Sequence, residues 1–345
     1  MTRAILVAAA VLAAAGLTHA AGAPALVATN PEEAGPDFTI QGEYEGTAGT
    51  AKIGVQVIAL GGGTFQAVFL PGGLPGAGWD GKSKVLCDGK TEGTKTVFSP
   101  TAGTRKYMAG KPAEFIATEK FPPEGQKDWT AAIEGDRLTG KTDSGAAIEA
   151  RKVERKSPTL GAKPPARATV LLAFETGKAP SLAAWTNDKW KAMDCGCVQV
   201  VPKGGASATK EKFSGPWTLH VEFKTPFMPA ARSQGRGNSG VFPPGGREVQ
   251  VLDSFGLEGK GNECGGIYSS QAPRVNMCLP PLAWQTYDIT YTPPKDSEPA
   301  SYKVVHNGVV IHEKVDLGKG GGGGLSLQDH GNPVSYRNIW LVTGP

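Results

Sequence analysis

Two carboxylates and an amide stand close together in Gly246-Arg-Glu248-Val-Gln250-Val-Leu-Asp253. Carboxylates at such spacing suit proton transfer or cation binding when a fold brings them to one cleft. Strand alternation sends Val249 and Val251 to one face and Glu248 and Gln250 to the other. Strict alternation puts Asp253 on the valine side, and one β-bulge after Gln250 returns it to Glu248. The same pattern also suits a sheet with one solvated face. A second segment, Leu325-Ser-Leu-Gln328-Asp-His330, presents leucines to a core and Ser326, Gln328 and His330 to the opposite side. His330 is a candidate acid, base or ligand, because imidazole titrates nearest neutrality. His220, on a polar strand face, and His306 and His312, flanking an Asn-Gly turn, read as surface residues.

The elements that must position these groups are strands. Among 345 residues, 48 Gly and 27 Pro disfavour long helices and favour tight turns, so the expected class is all-β. Ile53, Val55 and Val57 alternate, Gly61-Gly-Gly63 turns, and Phe65, Ala67 and Phe69 alternate again, as in a half-buried hairpin. A small β-domain is expected over 37–155, a Pro-rich linker over 156–167, and a larger β-sandwich over 168–343. In the sandwich, Trp217, Leu219, Val221 and Phe223 form one strand face, and Asn307-Gly308 marks a type I′ hairpin.

The first twenty residues combine Arg3, an apolar run from Ala4 to Leu17 and the small-residue end Thr18-His-Ala20. This is the pattern of a secretory signal peptide, too short to span a bilayer, so the expected protein is secreted, periplasmic or extracellular, without membrane insertion. A flexible lead is expected over 21–36. A formal charge of +4, from 36 basic and 32 acidic residues, is too balanced for a nucleic-acid surface. Export permits disulfides. Cys264 and Cys278, flanking a short stretch, are the preferred pair, whereas Cys195-Gly-Cys197 is too tight for an easy mutual bridge and lacks the second pair of a zinc site.

Asn238-Ser-Gly-Val, Glu248-Val-Gln-Val-Leu-Asp253, Gly266-Ile-Tyr268, Pro280-Pro-Leu-Ala-Trp284-Gln-Thr-Tyr, His306-Asn-Gly and Leu327-Gln-Asp-His-Gly-Asn-Pro-Val-Ser-Tyr-Arg-Asn-Ile-Trp340 follow one another in the order of a known family. From about Val170 to Val342 the chain resembles the 3-keto-disaccharide hydrolase domain family. The resemblance implies a concanavalin-A-like sandwich, or jelly roll, with a carbohydrate substrate carrying a ketone at C3. It implies Glu248 as base or metal ligand, His330 as acid–base or ligand, and Asp253 as a supporting carboxylate. Gln250, Gln328, Tyr268 and Asn238 then position sugar hydroxyls. Trp284 stacks on a sugar or fills the core, and Arg337 orients ligand or holds its strand. A divalent metal, with Glu248 and His330 as candidate ligands, is left open because the spacing matches no recognised metal motif. Two other readings stay open: a non-catalytic lectin-like module, and an ordinary glycosidase using Glu248 and Asp253 as its carboxylate pair. The N-terminal β-domain carries no assignable function.

Overall fold

The computed structural model describes residues 25–344, and the expected leader at 1–20 lies outside them, as do residues 21–24 of the expected lead. Ten strands occupy the N-terminal half: Gly42–Ala48 (β1), Ala51–Gly61 (β2), Thr64–Pro71 (β3), Val85–Glu92 (β4), Lys95–Pro100 (β5), Lys106–Tyr107 (β6), Phe115–Ile116 (β7), Thr130–Glu134 (β8), Arg137–Lys141 (β9) and Ala147–Val153 (β10). Eight of them close into a barrel in the order β1-β10-β9-β8-β5-β4-β3-β2, while β6 and β7 form a parallel pair within the insertion between β5 and β8.

The alternating residues of the hairpin explain the closure. Val55, Val57, Phe65, Ala67 and Phe69 point inwards with Phe98, Trp129 and Ile133, so the barrel interior is a packed core. The opposite parity of the same strands, Ile58, Leu60, Val68 and Leu70, belongs to the core of the following domain. Both faces of β2 and β3 are therefore apolar because one lines the barrel and the other packs on the sandwich. Each such side chain, fully buried, is worth about 1.5–3 kcal/mol. At the seam between β1 and β10, a Cβ on Gly46 would lie 1.9 Å from the Glu149 carbonyl oxygen, so glycine is needed for the strands to approach.

The C-terminal half adds Thr169–Leu172 (β11), Lys191–Met193 (β12), Cys197–Gln199 (β13), Ser207–Ala208 (β14), Trp217–Lys224 (β15), Ser239–Phe242 (β16), Val249–Val251 (β17), Gln285–Thr292 (β18), Ser301–His306 (β19), Val309–Asp316 (β20), Ser326–Leu327 (β21) and Ser335–Thr343 (β22). A large sheet runs β12-β13-β22-β15-β18-β19-β20, with β11 also on β22, and a small sheet runs β14-β21-β16-β17. Their inner faces meet through Leu219, Val221, Phe223, Tyr287 and Ile289 on one side and Val241, Val249, Val251 and Leu327 on the other. Asn307 and Gly308 both have positive φ, +48° and +81°, as a type I′ turn requires.

Two segments outside the strands are packed, and one expectation, the disulfide, is corrected. Within the expected flexible lead, Ala28 is buried and exchanges backbone hydrogen bonds with Phe227. Residues 157–162 of the linker lie against the large sheet, where the Gly161 N–H donates to Glu222 at 2.6 Å and Ser157 hydrogen-bonds Thr286 at 2.6 Å. The bridge expected between Cys264 and Cys278 is absent: both are buried free thiols, as is Cys87. The disulfide joins Cys195 to Cys197 instead, across Gly196 at φ +75°, a left-handed turn that brings the two Cα atoms to 5.4 Å. Cys264 faces the Tyr287 hydroxyl at 3.3 Å, and Cys278 faces the Leu252 carbonyl at 3.5 Å.

Candidate active site

The outer face of the small sheet carries a row of polar groups set by strand parity. Register places Gly240 opposite Gln250, and the Gln328 N–H donates to the Gly240 carbonyl, so Gln328, Gly240 and Gln250 lie side by side across three strands. Val241, Val249 and Val251 point the other way and are fully buried. Glu248 leans over the bare Cα of Gly240: a Cβ there would stand 2.0 Å from Glu248 Oε1. Beyond β17, Gly265–Tyr268 acts as a further strand, with Gln250 N–H donating to Gly266 and Tyr268 N–H donating to Glu248. That register sets the half-exposed Tyr268 beside Glu248 on the same face. A cleft of about 390 Å³ lies on the far side of Tyr268, lined by Asn262, Ser269 and Ser270 among others and not by Glu248.

Burial pushes the Glu248 carboxyl up to about 7, and burial is its sole cause, with no neighbouring charge contributing. Around it the hydrogen bonding is incomplete in one consistent sense. Glu248 Oε1, Gln250 Oε1, Gln328 Oε1 and Asn238 Oδ1 are all buried acceptors without a partner. The corresponding donors of two of these amides are occupied: Asn238 Nδ2 and Gln250 Nε2 both donate to Gln234 Oε1 at 3.1 Å, and Gln250 Nε2 also approaches the Asn262 carbonyl at 3.4 Å. Buried polar atoms are seldom left unpaired in native proteins, so unpaired acceptors clustered on one face mark a place for a ligand rich in donors. Gln234 and Asn262 escaped sequence reasoning. Both sit in irregular loops, where alternation gives no signal.

Other site candidates lie elsewhere. Asp253 is 2% exposed and ion-paired to Arg236 Nε at 2.6 Å. The anticipated bulge does not bring it to Glu248; its backbone N–H is bonded to the Arg236 carbonyl, where the chain leaves β17. His330 is exposed on the turn after Gln328 and makes no hydrogen bond or ion pair. Arg337 and Trp284 belong to the large sheet's side of the molecule. The Arg337 guanidinium lies 4.1 Å from the ring centres of both Trp284 and Phe174, and its Nε donates to Glu222 at 2.7 Å.

That second cluster is closed. His220 Nδ1 meets Asp288 at 2.6 Å and Nε2 meets Glu222 at 3.4 Å, while Asn338 donates to Glu222 at 2.8 Å. Burial pulls the His220 pKa down, but the hydrogen bonds and charges of Asp288 and Glu222 outweigh it and hold it above the ordinary value. Burial likewise opposes the charge on Glu222, yet its donors hold its pKa below the usual range. His306 and His312, expected at the surface, are also fully buried. His306 contacts Gln285 at 3.0 Å, and burial pushes its pKa down to about 3. His312 contacts the Gly265 carbonyl at 2.7 Å.

A cation would find one carboxylate and several amide oxygens at the Glu248 row, and no group of three or more His, Cys, Asp or Glu side chains converges among the described residues. That donor set does not fit a nitrogen- or sulfur-rich centre. A larger cleft of about 630 Å³ at the barrel mouth contains Asp37, but its carboxylate is committed to the Gly63 N–H at 3.1 and 3.2 Å. No helix among the described residues is long and apolar enough to cross a membrane.

Three solved structures from Parabacteroides distasonis ATCC 8503, each described as a "putative glycosyl hydrolase", resemble the chain. One is 33% identical with a TM-score of 0.46, covering 52% of this chain and 85% of that one. The other two are each 19% identical with TM-scores of 0.38; one alignment covers 52% of this chain and 94% of that one, the other 51% and 99%. No curated protein matches. Residues 172–342, which carry the Glu248 row, match the family described as the 3-keto-alpha-glucoside-1,2-lyase-like domain, and through this sandwich the chain belongs to that family.

Proposed function

We propose that the protein is an exported enzyme cleaving 3-keto-glycosides, with Glu248 as the general base. The observation carrying this reading is a half-buried carboxyl whose pKa of about 7 suits proton abstraction at neutral pH, set among unpartnered acceptors that match sugar hydroxyls. A ketone at C3 acidifies the C2 hydrogen. Glu248 takes that proton, the C–H electron pair passes into the C3 carbonyl as an enolate, and collapse of the enolate breaks the bond from C1 to the departing oxygen. The departing oxygen gains a proton from water, leaving a C1–C2 double bond. Water then adds at C1 as a proton returns to C2. Tyr268, beside Glu248, supplies a hydroxyl donor for the enolate oxygen. Gln250, Gln328 and Asn238 accept from the remaining hydroxyls.

Asp253 has a structural role in this scheme, because Arg236 already occupies it. The two-carboxylate glycosidase is disfavoured on the same ground, and because no second carboxylate influences Glu248. The experiment is product analysis with a 3-keto-glucoside and its unoxidised parent, each with and without chelator. Cleavage of the keto sugar alone supports the proposal. Cleavage of the parent, or binding without cleavage of either sugar, refutes it in favour of a glycosidase or a lectin-like module, and chelator sensitivity decides the metal.

A further inference from the structure

We infer that the N-terminal barrel completes the sugar site: Tyr107, on its β5–β8 insertion, is a positioning residue that acts through the 258–263 loop on Gln250. The inference rests on the proposed function for its kinetic readout and on geometry alone for its structural one.

The insertion departs from the barrel and enters the neighbouring domain. Phe115, Ile116 and Ala117 are buried in the sandwich core. Tyr107 Oη donates to Glu263 Oε1 and accepts from the Glu258 N–H at 3.3 Å. Glu263 is fully buried, and its other oxygen accepts from the Gly259 and Lys260 N–H groups at 2.7 and 3.1 Å. Thr118 donates to Glu258, and Lys84 pairs with the same carboxylate at 3.2 Å. One phenolic hydroxyl thus ties both ends of a loop whose intervening Asn262 carbonyl accepts from Gln234 Nε2 at 2.8 Å and from Gln250 Nε2 at 3.4 Å.

The second wall is held from the same side. Arg232 donates to the carbonyls of Ala109 and Leu60 at 3.1 and 2.9 Å, and Arg236 donates to that of Ala59 at 3.2 Å. Between these arginines lies Gln234, whose Oε1 accepts from Asn238 and Gln250. Barrel contacts therefore fix both groups that occupy the amide donors of the site. With the NH₂ of Gln250 held by Gln234 and Asn262, its oxygen is the end left for a ligand. Orientation of that amide is what selects a hydroxyl donor over an acceptor.

The test uses the full chain and Tyr107→Phe, Gln250→Ala and the double variant. Tyr107→Phe should raise KM for the 3-keto-glucoside about five- to tenfold with kcat within about twofold, the size expected from loosening one or two hydrogen bonds. In the Gln250→Ala background the same change should have little further effect on KM. Independently of turnover, the side-chain ¹⁵N–¹H₂ pair of Gln250 should be well dispersed in the parent and collapse towards the solvent-exposed position in Tyr107→Phe. An unchanged Gln250 amide signal overturns the inference, as do multiplicative KM effects in the double variant. If the parent protein turns over no keto-sugar, the functional proposal falls, while the amide signal still decides the positioning role.

Discussion

Two polar clusters occupy opposite outer faces of one sandwich, and they differ in whether their hydrogen bonds close. On the large sheet, both ring nitrogens of His220 and all carboxylate oxygens of Glu222 and Asp288 have partners, several from the linker laid across them. On the small sheet, four buried acceptors have no partner. A buried network that satisfies itself stabilises and orients; one left open in a single chemical sense is poised for a ligand. Residue type alone would rank them the other way, since the closed cluster holds the histidine, two acids and an arginine.

The largest expected effect is on catalysis at the open cluster. Glu248→Gln should lower kcat by about 10³-fold, within the range general bases contribute, while sugar binding persists. Full turnover in this variant would abolish the contrast. Its stability should move the other way. A carboxyl with a raised folded pKa is least costly below its ordinary value of 4.5, and its cost appears as pH rises through 7. Glu248→Gln should therefore stabilise the protein at pH 8 by about 1–2 kcal/mol, discounted for partial solvent access, and leave it unchanged at pH 4. Denaturant titration at the two pH values checks this.

At the closed cluster the signs reverse. Glu222→Gln removes one partner of a buried ionic network and should cost about 3–5 kcal/mol in a denaturant titration, with kcat of the folded fraction nearly unchanged. The native pKa of His220 is raised, so its contribution is full below its ordinary value and is lost as pH rises through the folded pKa. That of Glu222 is lowered, so its contribution is present above its ordinary value and is lost as pH falls through the folded pKa. The network should thus stabilise most between the ordinary values of 4.5 and 6.5. Equal stability of parent and Glu222→Gln in that window would contradict a structural role.

Smaller still is the effect expected at Gly240. The nearest atoms to an alanine Cβ there all belong to the Glu248 side chain, which can swing aside, so Gly240→Ala should keep its melting temperature within a few degrees yet lose about tenfold or more in kcat. Parental kcat in a folded Gly240→Ala protein would show that the position of Glu248 over the sheet is unimportant.

Much of the open cluster was legible because strand parity survives folding. Val249 and Val251 against Glu248 and Gln250, and Leu327 against Gln328, are arranged as alternation requires. Parity was weaker for elements that leave the strand or are covered from outside. Asp253 lies past the end of β17, where the turn towards Arg236 overrides a two-residue period. Arg337, on β22, and Trp284, just before β18, sit on the opposite side because those strands belong to the other sheet, which no local pattern reveals. His220 occupies a polar strand face that the linker and Trp340 bury, with the two rings stacked at 4.9 Å. The double apolar parity of Ile58 and Leu60 beside Val57 and Ala59 was present in the sequence, and it is the trace of a barrel wall shared with a second core.

The role of Glu248 as base is read from the pH dependence of kcat/KM for a 3-keto-glucoside. With Glu248 as base, the rate rises with pH through a midpoint near 7 in the parent protein and is lower and pH-independent in Glu248→Gln. A profile flat through 7 in the parent, or one retained in Glu248→Gln, would contradict Glu248 as the base.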